Sequence, residues 1–365
     1  LGHGMSSTTM AAIGGGEIYP AAMFKDLMEQ VNSLRKEKAP DARVLVGGAG
    51  VWQLAANEKA REQFGIDHLI EGPAEDVAPQ IIADIVAGDE LPEIIEGRCD
   101  CPEKMEPLTG PTVMGACEIS RGCGYGCDFC TMGTEPMVHL PVDTIAADVA
   151  TNVEAGMYNV TLLSEDIFRY GCDSEGCNPG RVLDLLKNLR NIEHLQLIQS
   201  DHANVRSIAQ FSDAELALMR RLLIGEGDWV SWLNVGVETA SGELLKASGG
   251  ASKMQGTEAD EWGRFSALQI RRLVRAGFIP IVSLMVGLPG ETEDHITDND
   301  RWVRSLGDLP VCVFPVLYAP LNDDPSPDPD QLSAATWRFI ARCYEQNFRW
   351  MPRLYLEQQT AGEGS

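Results

Sequence analysis

The chain has 365 residues, 44% of them hydrophobic, and its 29 Lys and Arg against 54 Asp and Glu leave a net charge of −25. That length and apolar content suit one large domain or two medium ones, and 36 glycines and 20 prolines scattered without a short period exclude a collagenous, coiled-coil or wholly disordered chain. The charge repels phosphate backbones, so no nucleic-acid partner is expected; no run of about 18 apolar residues offers a membrane span.

The first 98 residues alternate strand and helix signals. A short segment from Gly4 to Met10 leads through Gly14, Gly15 and Gly16 to a helix over 20–38, whose Ala22, Leu27, Val31 and Leu34 share a face. Arg43-Val44-Leu45-Val46 reads as a buried parallel strand ending in Gly47-Gly48-Ala49-Gly50. A helix over 54–64, a strand at His68-Leu69-Ile70-Glu71 and a helix over 78–87 complete half or more of a doubly wound sheet. Residues 91–108, rich in Pro, Glu and Cys, read as a linker. The start at Leu1, without an initiator Met or a signal peptide, suggests an incomplete N terminus.

Six strand candidates follow, at 112–120, 159–165, 195–201, 232–239, 279–287 and 311–319, separated by helices at 144–155, 181–191, 213–223, 265–276 and 298–306. Repeated strand-helix units with apolar strands argue for a parallel sheet or partial barrel with ligands at the strands' C-terminal ends. A second linker at 322–330 precedes an aromatic and basic helix over 337–355, read as a structural cap.

The sharpest signal is Cys123-Gly124-Tyr125-Gly126-Cys127-Asp128-Phe129-Cys130, a CxxxCxxC loop directly after the first of these strands. Thiolates are soft ligands for iron–sulfur clusters or zinc, and spacings this short let one loop wrap one centre. Glycines inside the loop permit the positive-φ turns that wrapping needs. Three cysteines leave one metal position open, as a catalytic centre requires. With ten cysteines clustered rather than spread, metal binding in a reducing, cytoplasmic compartment is expected. Cys99 and Cys101 with Cys172 and Cys177 could supply a second metal site, whereas Cys117, Cys312 and Cys343 sit in apolar contexts and read as buried hydrophobes.

At these residues the chain resembles the radical S-adenosylmethionine (SAM) superfamily, whose CxxxCxxC has an aromatic before its last cysteine, as Phe129 precedes Cys130. The resemblance implies a [4Fe–4S] cluster on Cys123, Cys127 and Cys130, with SAM on the fourth iron. Leu163-Ser164-Glu165-Asp166 resembles the family's Gly-Gly-Glu segment, with both glycines replaced, and implies SAM contacts at Ser164 and Glu165. Asn234 to Thr239, with Glu238 inward, is similar to the ribose and methionine contact; Ser283 to Thr292, with Met285 and Gly287, is similar to the segment beside the adenine. His202 and Tyr170 are candidate catalytic residues, with a rim histidine and core packing as their alternatives.

The N-terminal alternation, with Gly47-Gly48 after a strand and then Glu71-Gly72, is similar to the cobalamin-binding domain that precedes many radical SAM barrels. Ser6, Thr8 and the Gly14–Gly16 loop would lie near the cofactor, and His3 is attributed to chance rather than to cobalt ligation. The expectation is therefore an α/β chain: an incomplete Rossmann-like cobalamin-binding-type domain at 1–98, a linker at 99–110, a partial (β/α)6 radical SAM barrel at 111–320 and a C-terminal extension at 321–365. The implied activity is reductive cleavage of SAM to a 5′-deoxyadenosyl radical and cobalamin-dependent methyl transfer to an unactivated carbon of a small or lipid-like substrate, with ferredoxin or flavodoxin as electron donor. The alternatives are a non-methylating ring-forming or coupling enzyme with a vestigial cobalamin domain, and a zinc-stabilised binding module.

Overall fold

The computed structural model describes residues 19–361 except 100, 103, 104, 131, 134, 174, 175, 255 and 321–326. The expectations at His3, Ser6, Thr8, Gly4 to Met10 and Gly14 to Gly16 lie outside the described residues. The chain divides into two units, Leu1–Met105 and Glu106–Ser365.

In the first unit, helix α1 (Tyr19–Lys38) is followed by β1 (Leu45–Val46), α2 (Trp52–Ala55), α3 (Glu58–Phe64), β2 (His68–Glu71), α4 (Ala78–Ala87) and β3 (Ile94–Glu96). The strands form a parallel sheet in the order β1-β2-β3, with Leu45 opposite His68 and Leu69 opposite Ile94. Its core gathers Val51, Leu54 and Leu69, with Phe24, Val46 and Phe64 packed against them. The helix expected over 54–64 is two helices, because Asn57 caps the second by accepting from Ala60 N at 3.0 Å. The stretch from residue 91, read as linker, contributes β3 to this sheet. Gly97 there lies so close to the Gly72-Pro73 backbone that a Cβ would collide with it.

The second unit carries six parallel strand positions around an arc, the partial (β/α)6 barrel of an α/β fold. β4 (Ala116–Glu118), β7 (Asn159–Leu163) and β8 (Leu197–Ser200) form one sheet; β9 (His202–Asn204), β10 (Trp232–Glu238), β11 (Ile279–Val286) and β12 (Cys312–Leu317) form another. The third strand position is split at Asp201: β8 pairs back to β7, and β9 pairs forward to β10. The connecting helices are α5 (Val142–Glu154), α6 (Pro179–Leu189), α7 (Val205–Ile208), α8 (Asp213–Ile224), α9 (Gly242–Ala247), α10 (Trp262–Ala276) and α11 (Glu293–Leu306). Apolar faces bury them against the sheets, with Leu185, Leu216, Ile270 and Val282 fully enclosed.

The first strand is shorter than expected, since Val113–Gly115 is a 3-10 turn. Beyond it Ser120–Arg121 (β5) pairs antiparallel with Val138–His139 (β6), a hairpin that brackets the cysteine loop. The C-terminal helix α12 (Ala334–Ala361) caps β12: Asn347 accepts from Val313 N at 2.6 Å and donates to Val313 O at 2.7 Å. Cys117, Cys312 and Cys343 are buried.

Candidate active site

The cysteine loop hangs from the hairpin at the C-terminal end of the first barrel strand. Cys123 N donates to Glu135 O at 3.1 Å, Gly126 N to Gly133 O at 2.6 Å, and Cys130 N to Cys127 O at 3.1 Å, so the loop is closed by its own backbone. Gly122, Gly124 and Gly126 adopt φ of 69°, 68° and 68°, a region that side chains with a Cβ rarely enter. Gly133 is required for another reason: a Cβ there would lie 2.8 Å from Cys127 N.

Two cations brace this loop from outside it. Arg169, in the 3-10 turn Ile167–Arg169 after β7, donates to Cys123 O, and its guanidinium lies 4.4 Å from the centre of the Tyr125 ring. Lys253, buried in the 3-10 turn Ala251–Met254, lies 5.8 Å from the Phe129 ring centre and pairs with Glu238. Burial pushes all three thiols up, Cys123 to about 11, and the Lys253 charge opposes the rise at each. Burial also works against the Lys253 ammonium, but Glu238 and Cys127 outweigh it and hold its pKa above the usual lysine range.

Glu238 ends β10 with φ of 67°, an uncommon conformation for a residue with a side chain, at a break in the β10–β11 register. That turn sends its carboxylate toward Lys253 and within 3.4 Å of Ser283 Oγ on β11. Gly236 makes the space, since a Cβ there would lie 2.8 Å from Lys253 Nζ. Glu165, after β7, and Glu238 both add negative potential at Cys130 and at His202. Both acids therefore act electrostatically on the cysteine loop and on His202.

His202 begins β9 with its Nδ1 3.0 Å from Asp201 Oδ2, and Asn234 Nδ2 donates to Asp201 at 3.1 Å. About half of the His202 side chain, 48%, stays exposed. Burial favours the neutral ring, yet the Asp201 carboxylate outweighs it and raises the imidazole above its usual range. Tyr170 is placed differently. It is buried and its hydroxyl donates to Leu140 O at 2.8 Å, the placement that the core-packing alternative describes.

Of the remaining predicted residues, Ser164, Met285 and Gly287 belong to the barrel unit. Ser164 is buried 2.6 Å from Ser120 Oγ, and Met285 is buried on β11. Gly287 has φ of 84°, and its N–H donates to Glu291 at 2.8 Å. Gly47 and Gly48 follow β1 in the first unit, Gly48 with φ of 99°. Cys99 and Cys101 belong to that first unit and Cys172 and Cys177 to the second. Sequence reasoning missed Lys253, Arg169 and the Asp201–Asn234 support of His202. A lysine in the Gly- and Ser-rich run from Ser248 carries no local sign that it is buried.

No group of three or more His, Cys, Asp or Glu side chains among the described residues is arranged to hold a metal ion. The donor set nonetheless fits an iron–sulfur cluster: three soft thiols on a glycine-shaped loop with buried positive charge beside them.

A parallel barrel arc with a three-cysteine loop at the end of its first strand defines an iron–sulfur enzyme class. The model of the Radical SAM superfamily matches residues 117–303, more than half of the chain, and the chain belongs to that superfamily. It is 25% identical to the ribosomal protein uS12 methylthiotransferase RimO of Oleidesulfovibrio alaskensis over 62% of this chain and 50% of that protein. It is 24% identical to the tRNA-2-methylthio-N(6)-dimethylallyladenosine synthase of Marinomonas sp. over 76% of this chain and 59% of that one. The chain thus spans between half and three fifths of the length of these two relatives. Among solved structures, the radical SAM methyltransferase TsrM of Kitasatospora setae shares the fold. With tryptophan and a SAM analogue bound it gives a TM-score of 0.55 at 17% identity, covering 80% of this chain and 57% of that one. With cobalamin and a [4Fe–4S] cluster bound it gives 0.56 at 15% identity, covering 86% and 69%.

Proposed function

We propose that this radical SAM enzyme is a cobalamin-dependent methyltransferase. The observation that carries the reading is the first unit: a parallel β1-β2-β3 sheet, with Gly47 and Gly48 after its first strand, stands before the radical SAM barrel in the chain. TsrM, a methyltransferase described with cobalamin and a [4Fe–4S] cluster, gives the reading further support.

Cys123, Cys127 and Cys130 would hold the cluster, and Gly47 with Gly48 would let cobalamin's tail approach the backbone. When bound, these groups supply reductive cleavage of SAM to a 5′-deoxyadenosyl radical and a transferable methyl group. The chain's own residues supply position and electrostatics. Lys253 balances the negative charge that thiolates bring, Arg169 holds the loop at Cys123, and Glu165 and Glu238 offer carboxylates to the SAM ammonium and ribose. The substrate is a small or lipid-like molecule, and a ferredoxin- or flavodoxin-type protein delivers the electron.

The test is to reconstitute the chain anaerobically with hydroxocobalamin and measure cobalamin retained per chain after gel filtration. Near-stoichiometric retention, lost in a Gly47→Val, Gly48→Val variant, is expected. A cluster-loaded chain that retains none would favour the non-methylating alternative. Methylthio transfer is a second reading, favoured by the curated relatives; it would show as sulfur incorporated together with the methyl group.

A further inference from the structure

Cys172 and Cys177, two half-buried thiols, flank an isolated backbone bridge. Asp173 and Gly176 exchange both backbone hydrogen bonds, at 3.3 and 3.2 Å, as an isolated antiparallel bridge. Cys172 and Cys177 are the next residues outward. In an antiparallel pair that rung is the non-hydrogen-bonded one, with Cα atoms about 4.5 Å apart and side chains close. Disulfides span Cα separations of about 4.4–6.8 Å, the range within which a rung of that kind falls. Burial pushes the Cys177 thiol up to about 12.

The two thiols are not equivalent. Cys172 Sγ lies 3.6 Å from His139 Nε2 and 4.0 Å from Arg169 Nη2. Burial keeps His139 below its usual pKa, which leaves the ring neutral and Nε2 able to accept, while His139 Nδ1 has no partner among the described residues. His139 Nε2 is therefore placed beside the Cys172 sulfur as a proton acceptor; Cys177 has no such acceptor within reach among its described contacts.

We propose that Cys172 and Cys177 are a reversible dithiol modification site, oxidised by small-molecule disulfides, with Cys172 as the attacking thiol. The Cys172 proton passes to His139 Nε2, and the Cys172 sulfur attacks one sulfur of the small disulfide, whose other half leaves as a thiol once it gains a proton. Cys177 then gives up its proton and attacks Cys172 Sγ, displacing the second half as a thiol. Two protein thiols become one disulfide, and one small disulfide becomes two thiols. The bridge forms on the segment that braces the cysteine loop, because Cys172 N donates to Arg169 O at 2.9 Å and Arg169 holds Cys123 O. This inference does not depend on methyl transfer.

The tryptic peptide 170–181 contains both cysteines and no other, which makes the site directly readable. Cluster-loaded protein is incubated anaerobically with oxidised glutathione, quenched in acid, alkylated and digested. The expected result is peptide 170–181 carrying no alkyl group and lighter than its dithiol form by two hydrogens, restored by dithiothreitol. Cys177→Ser is expected to trap glutathione on Cys172, and His139→Gln to slow that trapping about tenfold. A peptide still fully alkylated, or a disulfide from either cysteine to a third, would overturn the site. Equal trapping on Cys177 in Cys172→Ser would overturn Cys172 as the attacking thiol.

Discussion

At the scale of single residues, the pair of Lys253 and Glu238 sets the electrostatics beside the cysteine loop. Both side chains are about nine-tenths buried, at 10% and 11% exposure, so removing one partner strands the other's charge. Lys253→Met is expected to cost about 3–5 kcal/mol, and Lys253→Met with Glu238→Gln to recover most of the loss. Urea midpoints of the cluster-loaded proteins check this, and a double variant no more stable than the single one would refute it. The two residues also divide what could be read in advance. Glu238 was legible because it ends an apolar strand in the right order after the cysteines. Lys253 was not, because its burial depends on a turn folding back over Phe129, and no local pattern records that approach. His202 was visible as a residue at a strand end, but the Asp201–Asn234 chain that orients it spans two strands and needs the tertiary register.

At the scale of elements, the barrel strands were legible wherever an apolar run of five residues or more forms a central strand, as at Ile279–Val286. Short pieces were not. Ser120–Arg121 and Val138–His139 are too brief to carry a period, yet their hairpin supports the cysteine loop. The split at Asp201 was hidden because residues 195–201 read as one strand in the sequence, and only pairing partners separate the two halves. Loop geometry gives a prediction at this scale. Gly133→Ala places a methyl group against Cys127 N, so the loop must open. Reconstituted Gly133→Ala is expected to lose most of its cluster absorbance while its far-ultraviolet circular dichroism stays that of the parent. Unchanged iron content would show that the close approach does not matter.

At the scale of the whole molecule, charge and protonation dominate. A net charge of −25 makes the folded chain self-repelling, so raising KCl from about 0.1 M to about 1 M is expected to raise the melting temperature. Burial holds Asp166 and Glu291 at about 7, above their unfolded values of 3.8 and 4.5. The folded chain keeps protons there that the unfolded chain has released. The stability these groups contribute is present below their unfolded values and is lost as pH rises through about 7. Urea midpoints at constant ionic strength should therefore fall between about pH 5 and pH 8, and Asp166→Asn should flatten that fall. No helix among the described residues is long and apolar enough to cross a membrane.

The central claim is that Cys123, Cys127 and Cys130 build a cluster that cleaves SAM. The most direct measurement is 5′-deoxyadenosine formed after anaerobic reconstitution with iron and sulfide, dithionite reduction and addition of SAM, comparing the parent chain with Cys127→Ala. The account predicts 5′-deoxyadenosine from the parent and background from the variant. A parent preparation with one zinc, no brown absorbance and no SAM cleavage, or equal cleavage in Cys127→Ala, would contradict it.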